Sequence, residues 1–255
     1  MPDTPVSEVA DYYSSILPFY ELESISRAHL AFWRDIARKW APRRILELGA
    51  GLGRITAALH RVAPAVGADL SLEMLARARE RLGPRGPALV AADIRRPIAR
   101  GVFDLIVAPG DPISHATSLT ERTAILRSAA RALTSGGRLV VEGLFRTGDR
   151  TAMPVRRVRH AGGVLVIEET WDPLGVRDLW HARYLYRDQL EGGGERTAAA
   201  SFVARAWNPR TVRRVFDDAG LAVESLWGDF DRRPFRAGAR RIIIVARGAG
   251  GRRKD

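Results

Sequence analysis

Cysteine is absent from the 255-residue chain, which excludes a disulfide framework, a thiolate metal site and a thiol nucleophile, and suits a cytoplasmic setting. Lysine is nearly absent too: of 41 basic residues only Lys39 and Lys254 are lysines, leaving 39 arginines. A GC-rich codon bias spread over solvated faces produces such a skew, and so would a phosphate-binding surface selected for the guanidinium fork. No segment approaches the ~20 apolar residues needed to span a bilayer. The N-terminus, Met-Pro-Asp, opens on acidic residues instead of a basic stretch and apolar run, so no leader is expected. The five histidines, at 29, 60, 115, 160 and 181, are scattered without zinc spacing, and Asp217-Asp218 falls inside a helical pattern, so no metal is expected. There is no G-x-S-x-G elbow and no Walker glycine loop, so hydrolase and phosphoryl-transfer readings lack their central residues.

What is present suffices for a packed core, since 46% of the residues are hydrophobic and the length allows one large α/β domain or two small ones. The net charge of +12 is uneven. Residues 1–128 hold 17 basic and 14 acidic side chains, residues 129–255 hold 24 and 15, so any polyanion surface belongs to the second half.

Residues 24–40 place Ile25, Ala28, Phe32, Ile36 and Trp40 at helical spacing, with Ser24 as N-cap. Arg43 to Leu48 is a short apolar run ending in Gly-Ala-Gly-Leu-Gly, followed by Ile55, Ala58, Leu59 and Val62 at helical spacing: strand, tight turn, helix. The alternation continues with strands at 65–68, 88–92 and 102–108 and helices at 71–82 and 119–133, the last stopping at Gly136-Gly137 before a strand at 138–144. A parallel, doubly wound α/β sheet explains this order economically. From about 150 to 206, alternating segments at 164–167, 179–186 and 198–206 separated by glycine pairs predict an antiparallel insertion. Asn208-Pro209 predicts a capped helix through Ala219, and strands at 221–227 and 240–245 close a seven-stranded sheet. The expected organisation is an N-terminal helical lid (1–42), a Rossmann-like core (43–149 and 207–247), the insertion as substrate lid (150–206) and a flexible basic tail (248–255).

Glu47-Leu-Gly49-Ala50-Gly51-Leu-Gly53 lies between strand and helix, where backbone amides and a helix N-terminus converge on a ligand. A dinucleotide loop would want its third glycine at position 54, where Arg54 stands. Glu47, two residues before the first glycine, would repel pyrophosphate but suits a ligand bearing an ammonium and a sulfonium. Asp69 ends the second strand, where it can accept ribose hydroxyls, and Asp93 ends the third, where it can accept an adenine amine.

Ile45-Leu-Glu-Leu-Gly-Ala-Gly-Leu-Gly-Arg-Ile55, Ala68-Asp-Leu-Ser71 with Met74-Leu75, and Ala92-Asp-Ile94 resemble the motifs of class I S-adenosylmethionine-dependent methyltransferases. The resemblance covers about 43–145 and resumes at 207–247. It implies S-adenosylmethionine as cofactor and S-adenosylhomocysteine as product, with Gly49, Ala50, Gly51 and Gly53 in the loop at the methionine part and Glu47 and Ala108 beside it. It further implies Asp69 at the ribose, Leu70 and Met74 on the adenine face, and Asp93 with Ile94 at its edge. The N-terminal helix and the insertion look most like the branch containing glycine N-methyltransferase and the sugar amino N-methyltransferases. In that pattern a Tyr and, seven residues on, an Arg reach the donor's methionine end; Tyr20 and Arg27 stand at that spacing, and Arg27 as a solvated helix residue is an equal alternative.

Methyl transfer from a sulfonium is an in-line displacement that positioning alone can accelerate, whereas a hydroxyl acceptor needs a base. The candidates are His115, in Ala108-Pro-Gly-Asp-Pro-Ile-Ser-His115 after the fourth strand, and Tyr13. His115 as a loop histidine bridging backbone groups is the competing reading. Asp111 could orient an acceptor or initiate a turn, and Tyr12 with Tyr13 could line its pocket or anchor the N-terminus. On Leu179 to Tyr186, alternation puts Trp180, Tyr184 and Tyr186 on one face and His181 and Arg183 on the other. The aromatic face reads more readily as core; Tyr184 on it and His181 on the opposite face are the substrate candidates the strand offers. Three functions compete: a methyltransferase acting on an amine or hydroxyl of a small-molecule metabolite, an RNA methyltransferase, and a non-catalytic donor-binding protein. Partners are thus a small-molecule acceptor in preference to nucleic acid, no membrane, with a homodimer compatible.

Overall fold

The computed structural model describes residues 6–23, 26–148, 151–236, 238–239 and 241–248. Strand β1 (Ile45–Leu48) is buried at every position and is followed by α3 (Arg54–His60), β2 (Ala65–Asp69), α4 (Leu72–Leu82) and β3 (Ala88–Ala91). β4 (Phe103–Ala108) then leads through a 3-10 turn (Pro112–His115) to α5 (Leu119–Ala132) and β5 (Leu133–Gly143). After the insertion come α6 (Val212–Asp217), β11 (Leu221–Trp227) and β12 (Ile242–Gly248). The seven-stranded sheet has the order β11-β12-β5-β4-β1-β2-β3, with β12 antiparallel to both neighbours and the remaining pairs parallel.

Each central strand feeds two cores, as the two-residue period of a covered parallel sheet requires. Leu46, Ile106, Leu139 and Ile244 face α5 and α6, meeting Leu126, Ala129 and Phe216. Ile45, Leu105, Val140 and Ile243 face the other way, against Ile55 and Leu59 of α3 and Phe32, Trp33 and Ile36 of α2 (Arg27–Trp40). From the adjacent β1 and β4 the winding departs in opposite directions, so their carboxyl ends open a crevice at the topological switch point.

The insertion is a second sheet of five antiparallel strands: β6 (Thr151–Ala152), β7 (Arg156–His160), β8 (Gly163–Pro173), β9 (Leu179–Leu190) and β10 (Glu195–Arg205). Helix α1 (Val6–Tyr20) joins it to the main sheet. Its Ile16 and Phe19 pack on Leu165, Ile167 and Tyr186, while Leu17 packs on Leu52 and Met74. Arg54, where a dinucleotide loop would carry glycine, secures that helix: its Nη2 donates to the carbonyls of Tyr20 and Glu21 at 2.8 and 2.9 Å. A cation there also complements the carboxyl end of the helix dipole.

Several boundaries differ from the sequence reading. The Ser24 cap lies outside the described residues; α2 starts at Arg27, capped by Ser26, whose hydroxyl accepts from His29 N at 3.1 Å. β5 begins at Leu133 and runs through Gly136-Gly137, because Leu133 is buried and pairs with Phe103. Asn208-Pro209 stands ahead of α6 instead of inside its first turn; the Asn208 carbonyl accepts from Thr211 and Val212 N. Residues 249–255 of the expected tail lie outside the described residues. Among the described residues no helix is long and apolar enough to cross a membrane.

Candidate functional site

The loop after β1 turns back over the end of β2: Gly49 N and Ala50 N both donate to the Ala68 carbonyl, at 2.8 and 3.0 Å. Its three glycines have φ of +72°, +50° and +68°, the left-handed region that favours glycine. A Cβ at Gly49 would lie 2.5 Å from Pro112 Cβ, so the loop and the 3-10 turn touch; one at Gly51 would meet nothing within 4 Å and project into open space. Gly51 N instead donates to Asp69 Oδ2 at 2.7 Å, and Ser71 N to Oδ1 at 2.9 Å, which fixes the carboxylate at the strand end. Burial nevertheless holds Asp69 above the usual carboxylate range.

A crevice of about 140 Å³ opens here. Gly49, Gly51 and Asp69 form one side, Leu70, Met74 and Ile94 supply apolar walls, and Tyr20 and Pro109 close it. Asp93 lines it too; partial burial pushes its carboxyl up, but hydrogen bonds from Arg95 outweigh this and leave it lowered. Arg95 continues to Glu121 at 2.9 Å, and both line the crevice, a pair that no motif of the sequence announced. Four expected donor residues stand behind the wall. Ala50 and Gly53 are buried under the loop, with a Gly53 Cβ position 2.8 Å from Leu82. Ala108 is fully buried, and the next residues, Pro109 and Gly110, reach the crevice in its place. Glu47 is buried, accepts from the Thr56 hydroxyl, and is pushed up to about 8 by burial. Arg27 is exposed on the first turn of α2 and lines neither cavity, so the structure does not bring it to Tyr20.

A second cavity, of about 350 Å³, lies between the switch point and the insertion. Tyr13, Tyr20, Gly110 and His115 line both. His115 ends the 3-10 turn, buried, its Nε2 3.1 Å from the Tyr13 hydroxyl and its ring 4.7 Å from Phe202. Burial lowers its pKa to about 4, so the imidazole is neutral at physiological pH, and the same burial keeps the Tyr13 phenol protonated. Asp111 lines the cavity at φ +56°, but its carboxylate accepts from Leu144 N and from Trp207 Nε1 at 3.4 Å, tying the turn to β5. Burial pushes it up to about 6.

The aromatic face of β9 turns inward. Tyr184 stacks on Tyr186 and Phe202, 6.0 and 5.9 Å away and within 15° of parallel, and Tyr12 packs on Phe202 at 4.8 Å. Tyr12, Tyr184, Tyr186 and Phe202 all line the cavity, whereas His181 is on the opposite strand face and lines neither space. The face that reads more readily as core does both: Tyr186 packs on Phe19 of α1, while Tyr184, Tyr186 and Phe202 also line the cavity. Glu142 was missed by sequence reasoning. It sits at the carboxyl end of β5 and accepts from His29 Nε2 at 2.8 Å, Gly110 N at 2.9 Å and Arg241 Nη1 at 2.6 Å. The signal that found Asp69 and Asp93, a carboxylate ending a parallel strand, was available for it as well. No group of three or more His, Cys, Asp or Glu side chains that could hold a metal ion occurs among the described residues.

Residues 45–137 match the family model described as a methyltransferase domain. A stretch of 75 residues is 48% identical to the malonyl-[acyl-carrier protein] O-methyltransferase of Legionella pneumophila, covering 28% of this chain and 26% of that protein. Another of 142 residues is 34% identical to the demethylmenaquinone methyltransferase of Thermus thermophilus, covering 51% and 62%. The matched stretches thus span about a quarter and three fifths of those relatives. Among solved structures, CalS10, an amino pentose methyltransferase from Micromonospora echinaspora, is similar in fold at a TM-score of 0.74 and 20% identity, over 91% of this chain and 95% of that one. Strand order, glycine loop, strand-end carboxylates and matched stretch agree: residues 45–137 are similar to a methyltransferase domain, set in a fold that solved S-adenosylmethionine-dependent methyltransferases share.

Proposed function

We propose that the chain transfers a methyl group from S-adenosylmethionine to an amine or hydroxyl of a small-molecule metabolite. The observation that carries this reading is the junction of the two cavities at Tyr13 and His115. The crevice suits the donor: open space beside Gly51, a fixed carboxylate at Asp69 for a ribose diol, and Leu70, Met74 and Ile94 as a slot for a flat base. Asp93 would stand at the edge of that base, and Tyr20 with the loop at the methionine end. Glu47, buried beneath the loop, would be drawn to its charged form by a cation placed above it. When bound, S-adenosylmethionine supplies an electrophilic methyl on a sulfonium that leaves as a neutral thioether.

The protein's part is alignment and exclusion of water, with α1 and the insertion closing the acceptor cavity over the switch point. A neutral amine needs no base before transfer. A hydroxyl does, and its proton would pass to His115 Nε2, directly or through the Tyr13 hydroxyl bonded to it. The solved amino pentose methyltransferase of similar fold works in calicheamicin biosynthesis, which supports an acceptor drawn from natural-product chemistry. The second cavity, lined from both the switch point and the insertion, supports catalysis on a small molecule over donor binding alone.

His115→Asn tests the reading with a panel of amines, amino sugars and phenols, followed by release of S-adenosylhomocysteine. Turnover of a hydroxyl acceptor is expected to fall about 100-fold, the scale of a lost general base, with donor affinity unchanged. Because burial lowers the wild-type imidazole to about 4, kcat/KM should hold as pH falls through 6 and decline only on approaching that value. Unchanged turnover in the variant would remove His115 as the base, and an acid limb centred near pH 6.5 would contradict the lowering of its pKa by burial.

A further inference from the structure

Three arginines line the acceptor cavity. Arg156 Nη1 donates to Glu23 at 3.0 Å, and Arg241 Nη1 donates to Glu142 at 2.6 Å while pairing with Asp229. Arg146 differs from both. Its side chain is 17% exposed, its Nε is buried with no hydrogen-bond partner, as is that of Arg241, but its nearest carboxylate, Glu169, lies 3.8 Å away, beyond hydrogen-bond length. Glu169 is committed elsewhere, accepting from Trp171 Nε1 at 2.5 Å and bonding the Tyr184 hydroxyl. The Arg146 guanidinium is nonetheless positioned, 5.0 Å above the Trp171 ring. Among the described residues it makes no hydrogen bond, although it carries five donors in a planar fork. Burial draws its pKa below the ordinary arginine range, the mark of a cation short of compensation.

A half-buried guanidinium with its donors unused is costly unless a ligand completes it, and the group that matches the fork is an oxyanion. Arg146 lines the acceptor cavity and not the donor crevice, so the donor's own carboxylate is not its partner. Between Arg146 and His115 stand Trp171 and Phe202, their rings 5.9 Å apart, with Phe202 4.7 Å from His115. Resting on the reading of the two cavities given above, we propose that the acceptor carries an oxyanion, a carboxylate or a phosphoryl group, bound by Arg146. The body of the acceptor lies along the Phe202 and Tyr184 rings, and its methylated atom is at the opposite end, beside His115. Arg146 is then a specificity-determining residue, selecting acceptors by charge and by a length of about two ring widths.

The test uses protein saturated with S-adenosylhomocysteine, titrated calorimetrically with phenylacetate, phenyl phosphate and the neutral phenylacetamide. Both or either acid should bind at least tenfold more tightly than the amide, and their ratio distinguishes carboxylate from phosphoryl. Arg146→Gln should remove that preference and Arg146→Lys retain part of it, with S-adenosylhomocysteine affinity as the control for folding. Equal binding of acid and amide, an undiminished preference in Arg146→Gln, or no acid binding by protein that still holds S-adenosylhomocysteine would overturn the proposal. Loss of S-adenosylhomocysteine binding in the wild type would instead overturn the donor reading beneath it.

Discussion

Gly49 and Gly51 stand two residues apart in one loop, both left-handed, yet they are glycine for different reasons. Gly51 has open space beside it, so an alanine there pays only for its backbone conformation, about 1–2 kcal/mol. Gly49 backs onto Pro112 at 2.5 Å, and a rigid pyrrolidine ring cannot give way as the end of a flexible side chain would. Gly49→Ala is therefore expected to cost about 1–3 kcal/mol more than Gly51→Ala in urea unfolding, through overpacking. Gly51→Ala should weaken donor binding instead, since its methyl points into the crevice. Equal losses of stability would mean that the loop and the 3-10 turn do not touch in solution.

Among the elements, α5 shows how a helix start serves the site. Ser118 Oγ accepts from Glu121 N at 3.0 Å and the Glu121 carboxylate accepts from Ser118 N at 3.3 Å, a reciprocal capping box. The same Glu121 holds Arg95, which holds Asp93 at the crevice. Ser118→Ala should cost about 1 kcal/mol of stability in thermal or urea unfolding, and a loss below about 0.3 kcal/mol would show that the cap is not formed. The element order was readable from sequence because period and punctuation change together: buried runs at 45–48 and 103–108, helical spacing after each, and turn residues between. Carboxylates at strand ends were readable because a parallel sheet places them on one edge. What escaped the sequence depends on contacts distant along the chain. Leu133 becomes strand because Phe103 is there to pair with it, and the β9 aromatics line a cavity that only the packing of α1 and the switch point around them defines. Arg146 looks like any of 39 arginines until Trp171 is found beneath it and Glu169 is found committed to other partners.

For the whole molecule, α1 is the common boundary of the two cavities. It packs on the insertion through Ile16 and Phe19 and on the donor side through Leu17, and Arg54 holds its end. Tyr12, Tyr13 and Tyr20 hang from this helix around the junction, so one element bounds both cavities. The central claim is that the crevice bounded by Gly51 and Asp69 is the donor site and that His115 lies beyond it. Calorimetric titration with S-adenosylhomocysteine, and with NAD in parallel, tests this on the wild type, Asp69→Ala and His115→Asn. The expected result is one S-adenosylhomocysteine per chain, affinity at least about tenfold weaker in Asp69→Ala through loss of charged hydrogen bonds, wild-type affinity in His115→Asn, and no heat with NAD. Undiminished S-adenosylhomocysteine affinity in Asp69→Ala, or binding of NAD, would contradict the account.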